Sequence, residues 1–87
     1  MTIAELQKLL DDEGFDRSVY SLTGGHPAEA FCLSPESGHR WAVYYSEHGK
    51  RTSEKVFTSE DEACRYFLDW IRRYPEARRP GQNGGKR

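Results

Sequence analysis

The sequence predicts an α+β domain: two layers, with a four-stranded antiparallel sheet carrying both helices on one face, in the order α-β-β-β-β-α. Three observations predict it. Two capping-box sequences, Thr2-Ile3-Ala4-Glu5 and Ser59-Glu60-Asp61-Glu62, stand towards the two ends of the chain, each followed by apolar residues at helical spacing. Between them lie short runs rich in β-formers, the clearest being Arg40 to Ser46, where Trp41, Val43 and Tyr45 alternate with Arg40, Ala42, Tyr44 and Ser46. Gly-rich and Pro-containing segments separate those runs and supply the turns.

In the first helix, Ile3, Leu6, Leu9 and Leu10 form one apolar stripe while Glu5, Lys8, Asp12 and Glu13 stay wet. Gly14 supplies a left-handed C-cap, so the helix runs from Ile3 to Glu13. Ser18 to Leu22 reads as the first strand, and Thr23-Gly24-Gly25-His26-Pro27 as the turn leaving it. Glu29 to Leu33 is the second strand, closed by the loop Ser34-Pro35-Glu36-Ser37-Gly38, with His39 leading into the third. Glu47-His48-Gly49-Lys50 is a hairpin connection, and Arg51 to Thr58 returns as a polar strand suited to an edge. In the last helix, Glu60 to Tyr74, the residues Ala63, Phe67, Trp70, Ile71 and Tyr74 line one side and Pro75 stops the hydrogen-bond ladder. Residues 1–75 thus make one domain, and 76–87, without apolar periodicity, read as a disordered basic tail.

With 87 residues and 36% hydrophobic content, the core must be thin, and the 13% of aromatic residues have to substitute for volume. The net charge of −1 hides an asymmetry. Residues 1–71 hold seven Lys/Arg against thirteen Asp/Glu, a balance of −6, and residues 72–87 hold six basic residues against Glu76, a balance of +5. An acidic body repels phosphate backbones, so its natural partner is a basic surface. No apolar run approaches the roughly 20 residues of a membrane span. The N-terminus carries no secretion pattern, and the expected location is the cytoplasm.

The residue types that carry chemistry are present without the spacing that chemistry needs. Cys32 and Cys64 form no CxxC pair and read as reduced, partly buried thiols. His26, His39 and His48 fall in turns, in no metal-ligand pattern, so no metal site is expected. The Gly24-Gly25 loop lacks the Lys-Ser/Thr ending and the following helix of a phosphate-binding loop. Glu60, Asp61 and Glu62 point in different directions from a first helical turn and serve its dipole. No catalytic constellation and no cofactor site follow from the sequence, which excludes enzyme classes built on these motifs.

What remains is binding. A sheet covered on one face leaves Tyr20, Phe31 and Tyr44 as candidates for the uncovered side, depending on register, with Arg40 beside them. The competing reading assigns these rings to the single core. The hairpin tip, with Glu47, His48 and Arg51, is a second candidate, since a protruding turn enters a concave partner. Asp11, Asp12, Glu13 and Asp16 add charge that accelerates encounter with a basic target.

The stretches Tyr20-Ser21-Leu22-Thr23-Gly24-Gly25, Glu29-Ala30-Phe31-Cys32-Leu33, Trp41-Ala42-Val43-Tyr44-Tyr45-Ser46-Glu47 and Phe57-Thr58-Ser59-Glu60-Asp61-Glu62-Ala63-Cys64 resemble small bacterial immunity proteins encoded beside secreted toxins. The resemblance covers about residues 19 to 71 and carries over no functional residue. It implies a cytoplasmic inhibitor that forms a one-to-one complex with a cognate toxin domain and blocks its active site, NAD-degrading toxins among the classes implied. The order helix, strands, helix is also similar to double-stranded RNA-binding and integrase arm domains. On that alternative Arg72, Arg73, Arg78, Arg79, Lys86 and Arg87 make phosphate contacts.

Overall fold

The computed structural model describes residues 1–25 and 29–77. Two α-helices, α1 (Ile3–Asp12) and α2 (Glu60–Ile71), pack on a sheet of four strands, β1 (Tyr20–Ser21), β2 (Glu29–Glu36), β3 (Arg40–Glu47) and β4 (Lys50–Phe57). The α+β class stands. The all-antiparallel expectation does not: the spatial order is β1-β2-β3-β4, but β1 runs parallel to β2, so the sheet is mixed.

The cause lies between residues 16 and 25. The Asp16 side chain accepts hydrogen bonds from the Ser18 N–H and hydroxyl, both at 2.9 Å, and folds Arg17–Val19 into a turn of 3-10 helix where a strand was expected. Only Tyr20 and Ser21 are left to pair, with Phe31 and Cys32. The chain then crosses the face of the sheet away from the helices. Gly24 sits against Ser34 with φ +82°, and a Cβ there would lie 2.5 Å from the Ser34 hydroxyl, so only glycine fits. Residues His26, Pro27 and Ala28 of the expected turn lie outside the described residues.

Strand β2 is longer than expected and includes Ser34, Pro35 and Glu36, paired with Ala42, Trp41 and Arg40. Because β1 pairs only as far as Cys32, Pro35 has a neighbouring strand on one side alone, an edge position that tolerates its missing N–H. The β3–β4 hairpin turns on His48 and Gly49, with φ of 53° and 75°, the sign pattern of a type I′ turn. Beyond it Ser53 and Glu54 together face the single residue Tyr44, a bulge in which Ser53 takes φ 57°.

Helix α1 has the complete capping box: the Thr2 hydroxyl accepts from the Glu5 N–H, and the Glu5 carboxylate accepts from the Thr2 N–H. It ends in a Schellman motif, Phe15 N–H to Leu10 C=O at 3.0 Å and Gly14 N–H to Asp11 C=O at 3.1 Å, with Leu10 and Phe15 both buried in the core. At α2 only half of the expected box forms, with the Ser59 hydroxyl accepting from the Glu62 N–H. Its neighbours reach across instead: Glu60 accepts from the Ile3 N–H at 2.8 Å, and Asp61 bonds the Met1 amino group. The first turn of α2 therefore holds the start of α1.

Helix α2 stops at Ile71, three residues before the expected Tyr74. The following bonds, Arg73 N–H to Trp70 C=O and Tyr74 N–H to Ile71 C=O, tighten the chain into i→i−3 turns ahead of Pro75. Pro75–Ala77 then forms another 3-10 turn, Ala77 is buried, and its carbonyl accepts from the Asp16 N–H at 3.0 Å. The packed body thus continues past the boundary expected at residue 75, and the tail from Arg78 onward lies outside the described residues.

The main core lies between helices and sheet, joining Leu6, Leu10 and Phe15 to Leu33, Val43, Phe67 and Ile71. Trp41, Val43 and Tyr45 face it, as their alternation predicts. Ala63, Cys64, Phe67, Leu68 and Ile71 are the buried side of α2.

Candidate functional site

The helix-facing side of the β2–β3 pair changes character along its length. Its rungs are Leu33 opposite Val43, Phe31 opposite Tyr45, and Glu29 opposite Glu47. The first lies in the core, the second is aromatic, and the third is acidic. The last turn of α2 and the chain after it stop short of covering the acidic rung. A cleft of about 460 Å³ opens there, lined by Glu29, Phe31, Tyr45, Trp70 and Tyr74, with Val19, Thr52, Ser53 and Ala77 around them.

Phe31 is the hub of this cleft. Its ring meets Trp70 edge-on at 4.8 Å and 83°, Tyr45 edge-on at 5.1 Å and 72°, and Tyr74 tilted at 5.2 Å. These contacts hold a wall of rings in fixed orientation. Tyr74 remains 38% exposed, one of the two large hydrophobic residues that the described surface leaves most open. Tyr45 is fixed further by the Thr52 hydroxyl, which donates to the Tyr45 carbonyl at 3.2 Å.

The electrostatics of the cleft are negative. Burial pushes the Tyr45 phenol above its ordinary value, and the charges of Glu29 and Glu47 push it the same way. Among the described residues neither carboxylate has an ion-pair partner, whereas Glu13, Glu36, Glu54, Asp11, Asp12, Asp61 and Asp69 all do. Two like charges directly opposite each other on a sheet repel.

The opposite face of the sheet is not the open aromatic surface expected from the sequence. Tyr20 and Phe31 face the helices, and Tyr20 packs edge-on against Phe67 in the core. Tyr44 does lie on the outer side, but it is fully buried over a floor of Ala30, Cys32 and Ala42. Its hydroxyl donates to the Gly25 carbonyl at 2.8 Å, and the Arg51 guanidinium lies 4.2 Å above its ring. Arg51 is held in turn by Glu54 and Glu36, while the Ser34 hydroxyl donates to Glu36 at 2.7 Å. That hydrogen bond, with Arg51 and Arg40 nearby, keeps the Glu36 carboxyl below the usual range. This closed network fastens the 22–25 segment to the sheet, so Tyr44 and Arg51 are structural in position.

The residues singled out from the sequence therefore divide. Phe31 lines the cleft, Glu47 stands beside it as the cross-strand partner of Glu29, and exposed His48 follows Glu47 at the hairpin tip on the same end of the molecule. Arg40 is exposed at the far end of β3, remote in register from that rung. Sequence reasoning missed Glu29, Tyr45, Trp70 and Tyr74 as site residues. The available signal was a repeated offset: Glu29 precedes Phe31 by two residues and Glu47 follows Tyr45 by two, which puts acid and ring on one strand face.

Neither thiol has the environment of a nucleophile. Burial pushes Cys64 up to about 11, helped by the charge of Glu60, and burial also raises Cys32. Among the described residues no group of His, Cys, Asp and Glu is arranged to hold a metal ion, and no helix is long and apolar enough to cross a membrane. No protein-family model, no curated protein and no solved structure matches the chain.

Proposed function

We propose that this chain is an immunity protein, which binds a cognate bacterial toxin domain in the cytoplasm and inhibits it by covering its active site. The observation that carries the docking part of this reading is the cleft, where rigid aromatic rings end at Glu29, with Glu47 opposite it on β3 and neither carboxylate ion-paired among the described residues. Aromatic anchors beside unpaired charge are the composition of a protein-binding surface, and a negative rim complements the basic clefts in which phosphate-bearing substrates sit. The toxin as partner rests on the resemblance of residues 19 to 71. On this reading the domain works by shape and charge alone, and its thiols, held protonated, take no part.

The nucleic-acid alternative has less support. Two of its six basic residues are engaged with the body: Arg72 pairs with Glu13 and Arg73 with Asp69. The other four, Arg78, Arg79, Lys86 and Arg87, lie outside the described residues.

Co-expression tests the proposal. Cells producing the toxin encoded beside this chain should survive when the intact chain is present, and lose that protection when Tyr74 and Glu29 are replaced together. Cell death regardless of the chain rejects the immunity reading.

A further inference from the structure

We propose that the cleft is a receptor for one arginine side chain of the protein partner, its guanidinium seated between Glu29 and Glu47 and its stem lying along Trp70 and Tyr74. The inference rests on the reading of the cleft as a docking surface, and it does not depend on the partner being a toxin.

Three features of the cleft select this occupant. Glu29 and Glu47 are direct cross-strand partners, so their side chains leave the sheet about 5 Å apart, a separation that the planar fork of a guanidinium bridges. Neither is ion-paired among the described residues, Lys50 standing opposite Glu47 on β4 without forming a salt bridge, and a cation between the two carboxylates turns a mutual repulsion into two attractions. The wall is aromatic: Phe31 at the base holds the Trp70, Tyr45 and Tyr74 rings, and an aromatic ring attracts a cation over its face. An apolar ligand would satisfy the rings and leave the carboxylates unpaired. A small anion would be repelled. Arginine satisfies both at once, because its weakly hydrated guanidinium stacks on rings while donating to carboxylates, which the compact ammonium of lysine does less well.

The volume, about 460 Å³, fits a single side chain with its flanking backbone, not a folded element. The rim is also open to water, so an isolated arginine derivative binds weakly and the probe must be used at millimolar concentration.

The test is an NMR titration of the full-length chain with Nα-acetyl-arginine amide, and with the citrulline analogue, which keeps the shape and removes the charge. Trp70 lies in the cleft, whereas Trp41 pairs with Pro35 and Phe57 at the other end of the sheet, so the two indole N–H signals serve as probe and internal control. The expected result is a saturable shift at Trp70, Tyr45 and Tyr74 with arginine and none at Trp41. Citrulline should give no saturable shift, the lysine analogue a weaker one, and the double variant E29Q/E47Q a severalfold weaker arginine response with its amide dispersion intact. Equal responses to arginine and citrulline, no saturable shift, or an unchanged affinity in E29Q/E47Q would overturn the proposal. So would binding that appears only when Arg78 and Arg79 are changed to glutamine, because the cleft would then belong to the chain's own tail. Loss of toxin protection with arginine binding preserved would count against the immunity reading and not against this site.

Discussion

Glu29 and Glu47 face each other directly across the β2–β3 ladder, two residues beyond the Phe31–Tyr45 rung, and neither is ion-paired within the described residues. Elsewhere the same molecule places its charges with care: Arg17 on Asp11, Arg51 on Glu36 and Glu54, Arg65 on Asp61. A like-charge rung beside an open aromatic cleft is a local cost to folding, and such costs gather where function needs them.

Removing one of the two charges should therefore stabilise the free protein. Glu29→Gln is expected to raise the unfolding free energy by up to about 1 kcal/mol, read from the urea midpoint at constant slope. A lower midpoint would show that Glu29 makes a stabilising contact and that the rung is not repulsive.

The rings of the cleft should separate by burial. Phe31→Ala removes the hub on which three rings rest and should cost about 3 to 5 kcal/mol, enough to leave so small a domain marginal. Tyr74→Ala, at a ring 38% exposed, should cost no more than about 1 kcal/mol while weakening partner binding. Chemical denaturation of both variants checks the pair, and similar losses at the two sites would contradict the architecture of the cleft.

Gly24→Ala tests how the outer face is covered. The added Cβ meets the Ser34 hydroxyl and must adopt a positive φ, which together cost at least about 1 to 2 kcal/mol. The melting temperature should fall by roughly 4 to 8 °C for each kcal/mol in a domain of this size. Tyr44, no longer held by the Gly25 carbonyl, should become accessible to a fluorescence quencher. An unchanged melting temperature would mean that the 22–25 segment is not fastened as described.

The alkaline limit of stability is set in part by Cys64. Its folded-state value is about 11 against 9.0 for the free thiol, so the unfolded chain releases its proton first as pH rises. Stability is complete below pH 9 and declines between 9 and 11, by on the order of 2 kcal/mol from this group. Cys32, Tyr44 and Tyr45, all raised by burial, act in the same direction. In a series of denaturation curves the variant Cys64→Ala should be less stable at neutral pH but lose less on going to alkaline pH, and a parallel decline of the two proteins would refute the assignment.

Much of the architecture was legible because it depends on local chemistry. Thr2 and Glu5 start α1, Gly14 ends it, and the alternation through Trp41, Val43 and Tyr45 assigns the core face of β3. What was not legible depends on partners far along the chain. Nothing near Tyr20 shows that it will pair in parallel with Phe31, because a two-residue strand has no pattern of its own. Tyr44 reads as a surface ring until the Gly24–Gly25 segment is seen to cross over it. Glu60 and Asp61 look like dipole charges, and only the packing of α1 on α2 shows that they hold Met1 and Ile3. The site was half visible for the same reason: Phe31 and Glu47 stood out singly, but their union with Glu29, Trp70 and Tyr74 needs the β2–β3 register and the end of α2.

The most direct measurement is calorimetric titration of the full-length chain into the purified product of the neighbouring gene, which the proposed function takes to be a toxin domain, with wild type and E29Q/E47Q compared. A one-to-one complex is expected, with an affinity that falls at least about tenfold in the double variant, the equivalent of some 1.4 kcal/mol shared between two carboxylates. Equal affinities, or no heat of binding with a toxin domain that is itself folded and active, would contradict that expectation.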